Sequence, residues 1–447
     1  MLTVYLILLV AVPSNTSISG LGSLGHPSLL WGLILLFWWL LSKLQARAYV
    51  TVPVRQPLRV ALGALTVVVL VSFAAAMLRG QPADQISPAT TALIRLASWG
   101  GVLLVAMDGI RTHADAAKLV RRMAIAGGAL AALGLAQFVT GQTLLDWIGS
   151  LPGLTVDSAG VATRGVFTRA SGTAIHPLEY GTAVVAALPL AITVAVHQGF
   201  RPRPRSNPGV WWVPVALILI ASVIAVSKSA IIGLAIALIG SMPAIPKRFR
   251  WAIGIGGGIL ALGVLALVPG MFGTIVGLFA GASDDPSTQS RTDALARVPE
   301  FISSSPLIGQ GFGTFLPRYY IFDNAWVLLT VELGVFGLIC FAAVAMAAIG
   351  SALVAGVRSP FDDTRAMSKG LAAAMITICV LFLFFDGLSF PISAGLFFLV
   401  AGLTAAMRTI SISDVELVAG MRRASRAELG RPTTALPTAR SADSHYG

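Results

Sequence analysis

Residues 291–315 read RTDALARVPEFISSSPLIGQGFGTF, and they form a polar, arginine-led stretch in a chain that is otherwise almost continuously apolar. Of the 447 residues, 56% are hydrophobic and only 11% are charged, and the mean hydropathy is +0.84. A soluble globular protein needs far more polar surface than this composition supplies. The sequence therefore predicts an all-α integral membrane protein in which this stretch lies outside the bilayer.

A hydropathy window of about 19 residues identifies about twelve candidate transmembrane helices. They cover residues 2–20, 27–43, 59–78, 89–107, 122–140, 174–196, 210–226, 229–245, 251–270, 325–348, 370–386 and 389–407. The first is weak because residues 13–19 are largely polar, and a tight turn at residues 386–391 joins the last two.

The basic residues predict the orientation of these spans. Of the 31 Lys and Arg residues, 23 lie in alternate connections and in the C-terminal tail. The positive-inside rule assigns those connections to the cytoplasm, so both termini are expected there. The net charge of +12 is then a topology signal and not a sign of nucleic-acid binding. Cys340 and Cys379 both lie in apolar runs, which indicates neither a disulfide framework nor a metal site.

This orientation places two long connections outside the cytoplasm. Within a polytopic membrane domain over residues 1–408, we expect a first outer loop at 141–173 and a large outer loop at 271–324, between the ninth and tenth spans. Residues 409–447 are predicted to form a cytoplasmic tail that is largely disordered.

The large outer loop is predicted to contain a short amphipathic helix over residues 291–303. Its apolar residues, Leu295, Val298, Phe301 and Ile302, follow helical spacing. The glycines at 309, 311 and 313 come after it with no preceding strand and no helix to cap, so a dinucleotide site is excluded. They are expected to shape the loop.

Four ordered segments carry a recognisable pattern. They are RASGTAIHPLEYGTAVVAALPL at 169–190, SKSAIIGLAIAL at 227–238, PLIGQGFGTF at 306–315 and DNAWVLLTVELGVFGL at 323–338. Together with the arginine-led helix they resemble the O-antigen ligase and polymerase superfamily, over roughly residues 160–340. The chain departs from that pattern at Asp323, where the family usually has His, and at Leu295, where it often has Trp.

The resemblance implies a GT-C-like membrane glycosyltransferase in the bacterial plasma (inner) membrane. Such an enzyme moves a saccharide from a polyprenyl (undecaprenyl) pyrophosphate carrier to an acceptor hydroxyl outside the cytoplasm, without a metal or other cofactor. The implied partners are a lipid-linked oligosaccharide donor, a glycan or glycolipid acceptor and membrane lipids, with no nucleic acid. Ligase and polymerase share this architecture, and the sequence leaves both open.

This reaction needs cationic groups around the pyrophosphate and a base for the acceptor hydroxyl. Asp323 is the first candidate for the base and His176 the second, although Asp323 could instead cap the tenth span. Arg169 leads its motif, and with Asp323 it is predicted to be catalytic. The candidate substrate-binding residues are Arg164, His176, Lys228 and Arg291, and Lys228 could equally be a snorkelling lysine.

Four further charged residues lie within predicted spans or at their ends. Arg95 lies six residues inside the fourth span, where a charge is expected to be functional or paired, with Glu179 or Asp386 as the partner. Glu332 is interpreted as polar packing. Two other classes of protein share parts of this pattern: a transporter or flippase of lipid-linked glycans would also have about twelve spans, and the shape-and-division glycan polymerases also have a large outer loop.

Overall fold

The computed structural model describes residues 1–45, 54–156, 162–164, 167–201, 207–225, 227–268, 270, 272–273, 276 and 286–429. The described α-helices are α1 Leu2–Val10, α2 Pro27–Leu44, α3 Pro57–Leu78, α4 Ala83–Gly109, α5 His113–Thr140, α6 Pro177–Val196, α7 Trp212–Ile224, α8 Lys228–Ser241, α9 Lys247–Leu267, α10 Pro286–Ile302, α11 Ala325–Arg358, α12 Asp362–Leu381 and α13 Pro391–Leu429. The described strands are β1 Thr16–Ile18, β2 Leu154–Val156, β3 Ala162–Arg164 and β4 Phe167–Arg169. The strands form two small antiparallel pairs, β1 with β2 and β3 with β4.

Most of the helices are built to cross a bilayer. Within the described residues, nine are long and apolar enough to do so, namely α2 to α6, α9 and α11 to α13. The apolar helices α7 and α8 are shorter. The protein is therefore an all-α, multi-pass membrane protein, as predicted. We call the end of the helical bundle that carries residues 141–156, 167–176 and 286–324 the loop end.

The predicted first span over residues 2–20 is wrong in its extent. Helix α1 has nine residues and ends at Val10, so it is about 14 Å long, less than half the thickness of a hydrocarbon core. Pro13 disfavours continuation of the helix. The polar residues after it form β1, which pairs with β2 of the first predicted outer loop.

The C-terminal helix is longer than the last predicted span. Helix α13 runs for 39 residues, from Pro391 to Leu429, and so continues into the segment predicted as the tail. Residues 430–447, on which the rest of that prediction falls, lie outside the described residues.

Helix α11 is interrupted at Gly334, which has a φ of 66° and a ψ of −167°. A break inside a membrane helix leaves peptide groups without partners, and this is costly in a bilayer. Residues 306–311, from the PLIGQGFGTF motif, satisfy them. The four bonds run from Gln310 N to Val331 O (3.0 Å), Gly311 N to Glu332 O (2.9 Å), Val335 N to Pro306 O (3.0 Å) and Phe336 N to Leu307 O (3.2 Å).

Glycine is required on both sides of this contact. Gly309 and Gly334 each have a positive φ, and a Cβ on either would overlap the backbone of the other segment, at Glu332 or at Leu307. Arg79 adds a clamp from the end of α3, because its guanidinium donates to the Gly309 carbonyl at 3.1 Å and to Ser305 Oγ at 2.9 Å. The glycines therefore let the loop pack against the broken helix.

The segment predicted as a loop helix over residues 291–303 lies mostly within helix α10, which begins earlier, at Pro286, and ends at Ile302. Its apolar side packs on the loop end of the bundle. Ala294 belongs to a buried cluster with Phe315, Phe322 and Val331, and the Phe301 ring lies 5.0 Å from the Phe315 ring. This packing fixes the segment that leads into α11.

Candidate active site

A cavity of about 600 Å³ opens at the loop end of the bundle. It is formed by α4, the start of α6, residues 312–323, the first turns of α11 and the turn at 385–390. An arginine, a histidine and three carboxylic acids line it: Arg95, His176, Asp323, Glu332 and Asp386. We call it the charged cavity.

Asp323 is a half-buried lining residue of the charged cavity, immediately before α11. The alternative that it caps this helix is wrong, because Asn324 occupies that position. Asn324 Oδ1 accepts hydrogen bonds from the Trp326 and Val327 N–H groups at 3.0 and 3.3 Å. The carboxylate of Asp323 is therefore not used as the cap and stands at the cavity.

His176 caps α6, and its Nδ1 accepts the Leu178 N–H at 3.1 Å. Burial, and next the positive charge of Arg169, hold the pKa of His176 below its ordinary value, while the charge of Asp323 acts in the opposite direction. The imidazole is therefore neutral near pH 7, with its proton on Nε2. In this state His176 can donate a hydrogen bond from Nε2, but Nδ1 is engaged and cannot take a proton. Of the two candidate bases, the geometry favours Asp323.

Arg169 ends β4 and does not line the charged cavity, but its charge acts on His176, which does. The backbone after Arg169 is held by the buried Gln137 of α5. Its Oε1 accepts from the N–H groups of Ser171 and Gly172 at 3.2 and 2.7 Å. Its Nε2 donates to the carbonyls of Thr143 and Gly172 at 2.7 and 3.0 Å. Sequence reasoning missed this role of Gln137.

Lys228 is the first residue of α8, and its Nζ is buried. It does not line the charged cavity. Helix α8 packs on the first turns of α6, where a Cβ on Gly181 would lie 3.6 Å from the Cβ of Ala230. Lys228 thus lies at the same end of α6 as His176.

Arg164 and Arg291 are described only by their backbone. Arg164 ends β3, opposite Phe167 of β4, and Arg291 lies in α10. Their side chains lie outside the described part of the chain, so the roles predicted for them remain predictions.

Glu332 lines the charged cavity although the sequence suggested only polar packing. It is 6% exposed, and the N–H groups of Gly313 and Phe315 donate to its carboxyl group. The only hint in the sequence was an acidic residue two positions before Gly334 in a recognised motif.

Asp386 is close enough to Arg95 and to Glu332 for its charge to interact with both side chains. Burial raises the pKa of Asp386 to about 6, against the opposing effects of hydrogen bonds from residues 388 and 389 and of the Arg95 charge. Of the two predicted partners for Arg95, Asp386 is the one whose charge interacts with the Arg95 guanidinium. Glu179 instead accepts from the Ile175 and Ile392 N–H groups, at 3.0 and 2.7 Å.

These features define a multi-pass helical membrane protein with a cavity of acids, histidine and arginine at one end, over which a docked loop packs. Residues 213–342 match the model of a protein family described as O-antigen ligase. The match confirms the resemblance to the O-antigen ligase and polymerase superfamily. Among curated proteins, none matches the chain.

The matched region runs from α7 into α11 and includes Lys228, Asp323 and Glu332. The family is one of glycosyltransferases, with a lipid-linked glycan as donor and a second molecule as acceptor. Arg95, Arg169 and His176 lie outside the match, and of these Arg95 and His176 line the charged cavity together with Asp323.

Proposed function

We propose that the protein transfers a saccharide from an undecaprenyl-type pyrophosphate to an acceptor hydroxyl, outside the cytoplasm and without a metal. The observation that carries the proposal is the charged cavity, where a carboxylate unused by helix capping lies near a neutral histidine and an arginine. Glycosyl transfer to a hydroxyl needs these three kinds of group close together.

Asp323 takes the proton of the acceptor hydroxyl in this mechanism. The acceptor oxygen attacks the anomeric carbon of the donor sugar and forms the new glycosidic bond. The bond from that carbon to the phosphate oxygen breaks, and its electron pair leaves with the pyrophosphate. The displacement is direct, so the anomeric configuration inverts.

The leaving pyrophosphate carries about two to three negative charges, which cationic side chains stabilise in a low-dielectric setting. We assign this role first to Arg169, because its charge acts on His176, and His176 lines the charged cavity. Lys228, at the same end of α6, and the predicted Arg164 and Arg291 complete the cationic set. His176 donates from Nε2 to an oxygen of the substrate.

An apolar groove of about 490 Å³ between α2, α3 and α4 supports a polyprenyl donor. Helix α4 lines this groove with Leu93 and Ala97 and lines the charged cavity with Arg95. A polyprenyl chain in the groove would therefore bring its pyrophosphate to the level of Arg95. The groove is exposed and apolar, so a lipid tail can lie against it without removing any polar group from water.

We further propose that the loop end faces outward from the plasma membrane. The basic connections lie at the opposite helix ends, which are expected to be cytoplasmic. A lipid-linked glycan exposed on the outer leaflet would then reach the charged cavity directly.

The test is glycan synthesis in a strain that lacks the native protein and carries single variants. Asp323→Asn and Arg169→Ala should each abolish glycan chain formation at normal protein abundance. Asp146→Asn, an exposed acid in the first predicted outer loop, and Arg358→Ala, in the last turn of α11, are the matched controls and should support normal chains. Normal chains from both site variants would refute the assignment.

The same strain without any complementing copy separates the two activities within the family. A polymerase is indicated if long chains disappear while single units remain attached to the acceptor. A ligase is indicated if lipid-linked polymer accumulates.

A further inference from the structure

A second cavity, of about 910 Å³, adjoins the charged cavity. Its walls come from the N-terminal segment over residues 14–29, from α4 and from the start of α13. The two cavities share five lining residues: Ser23, Arg95, Trp99, Leu388 and Ser389. A ligand in one cavity could thus continue into the other past Arg95.

The second cavity has a different chemistry from the first. Of its eighteen lining residues, eight are serine or threonine, and none is aspartate, glutamate or lysine. Its histidine, His26, is neutral near pH 7, because burial lowers the pKa of His26 to about 4. Arg95, on the shared wall, is the one formal charge among these lining residues. We call this cavity the hydroxyl cavity.

Part of this hydroxyl lining serves the protein itself. Ser98 Oγ donates to the Leu29 carbonyl at 2.8 Å, and Ser28 Oγ is 2.8 Å from His26 Nδ1. Ser17 and Thr155, by contrast, stand opposite each other on β1 and β2, with their oxygens 2.8 Å apart and their side chains partly or fully exposed. Thr155 Oγ1 also donates to the Ser17 carbonyl at 3.2 Å, so the protons of this pair are engaged. The lone pairs of the two hydroxyl oxygens keep further acceptor capacity, which is available to the hydroxyl groups of a ligand.

We propose that the hydroxyl cavity binds the uncharged saccharide portion of a substrate, while the charged cavity holds the pyrophosphate and the reacting atoms. The proposal rests on the function proposed above. A saccharide presents many neutral hydroxyls, and a wall of hydroxyl groups matches them without placing an unpaired charge against them. The volume lies within the range of ordinary ligand sites, about 300–1,000 Å³. The donor saccharide and the acceptor saccharide share this chemistry.

The test fills the hydroxyl cavity by Ser17→Trp. Its control is Ser19→Trp, two residues along the same segment, because Ser19 is exposed and does not line the cavity. Ser17→Trp should reduce chain formation to about a tenth or less, and a tenfold loss corresponds to about 1.4 kcal/mol of saccharide binding. Ser19→Trp should form normal chains. Protein abundance and melting temperature in detergent report whether each variant folds.

A second variant preserves the test if the tryptophan prevents folding. Ser17→Ala combined with Thr155→Ala removes both hydroxyls and adds no bulk. We expect a loss of about threefold to tenfold in chain formation, the effect of one or two ordinary hydrogen bonds.

Binding measurements distinguish the donor from the acceptor saccharide. Purified protein is titrated with undecaprenyl pyrophosphate and with the lipid-linked oligosaccharide extracted from the deletion strain. If the donor saccharide occupies the hydroxyl cavity, wild type binds the oligosaccharide form more tightly, and Ser17→Trp loses that difference. If the acceptor occupies it, both lipids bind Ser17→Trp as they bind wild type, while KM for the acceptor rises.

The outcomes separate this inference from the proposed function. Normal chain formation, donor binding and acceptor KM in Ser17→Trp would overturn the saccharide cavity alone. Failure of the wild-type protein to bind undecaprenyl pyrophosphate, with normal chains from Arg169→Ala, would overturn the proposed function.

Discussion

Replacement of Gly334 by alanine should separate the loop from the broken helix. Gly334 has a φ of 66° and a ψ of −167°, a region that is essentially restricted to glycine and costs other residues about 1–3 kcal/mol. The new Cβ would also overlap the carbonyl carbon of Leu307. To relieve the overlap, residues 306–307 must move away from α11.

This movement breaks the hydrogen bonds that Val335 and Phe336 donate to the loop, which measure 3.0 and 3.2 Å. A buried N–H group left without a partner costs about 1–3 kcal/mol. With both N–H groups left unpaired and the backbone strain added, the expected loss of stability is about 3–9 kcal/mol. The loop also carries Phe312 and Gly313 of the charged cavity, so glycan chain formation should fall as well.

The assay compares Gly334→Ala with Gly350→Ala, which lies in the same helix where a Cβ would meet nothing within 4 Å. Gly350→Ala should be neutral or gain up to about 1 kcal/mol, because alanine favours the helix. In detergent, Gly334→Ala should melt lower by about 5 °C or more. If Gly334→Ala has the same melting temperature and the same glycan chain formation as Gly350→Ala, the hydrogen-bonded contact between the loop and α11 does not stabilise the charged cavity, and our reasoning is refuted.

Three further predictions concern the site and its support. Gln137→Leu removes four hydrogen bonds to the backbone around residues 143 and 171–172. Limited proteolysis should then cut within residues 141–173 faster than in wild type, and equal cleavage rates would contradict this prediction. Because the pKa of His176 is lowered, its imidazole becomes half protonated only at a pH below 6.5, and its contribution to transfer declines there; a decline in transfer by the purified protein centred at or above pH 6.5 would be inconsistent with this. Since protein cations are proposed to stabilise the pyrophosphate, excess EDTA should leave transfer by the purified protein unchanged, and inhibition that magnesium reverses would contradict the proposal.

The long helices could be predicted from sequence because hydropathy is a local property, and residues 27–44 or 57–78 need no distant partner to be recognised as apolar. The first span could not, since the chain after Pro13 pairs with residues 154–156, a contact between segments about 140 positions apart. The cap of α11 was ambiguous for a different reason. Asp323 and Asn324 are both good N-cap residues, and only the backbone position of Asn324 decides between them.

The charged cavity was predicted in part. Motif order led to Asp323, His176 and Arg169, of which Asp323 and His176 line the charged cavity and Arg169 does not. Glu332 was expected to be packing because a residue inside an apolar helix usually is. The break at Gly334 brings the loop against this part of α11, so that Gly313 and Phe315 bond the Glu332 side chain at the cavity wall. Hydropathy carries no information about such a break.

Gln137 and Glu179 together hold the tract from Ser171 to Ile175 through its peptide groups. A clamp that bonds the main chain does not depend on which side chains the tract carries. We therefore expect the tract's exposed or partly exposed positions, Ser171 and Ile175, to accept many substitutions while the path of the backbone and the position of Arg169 stay the same. Libraries varied at these two positions offer a way to change substrate preference without dismantling the enzyme.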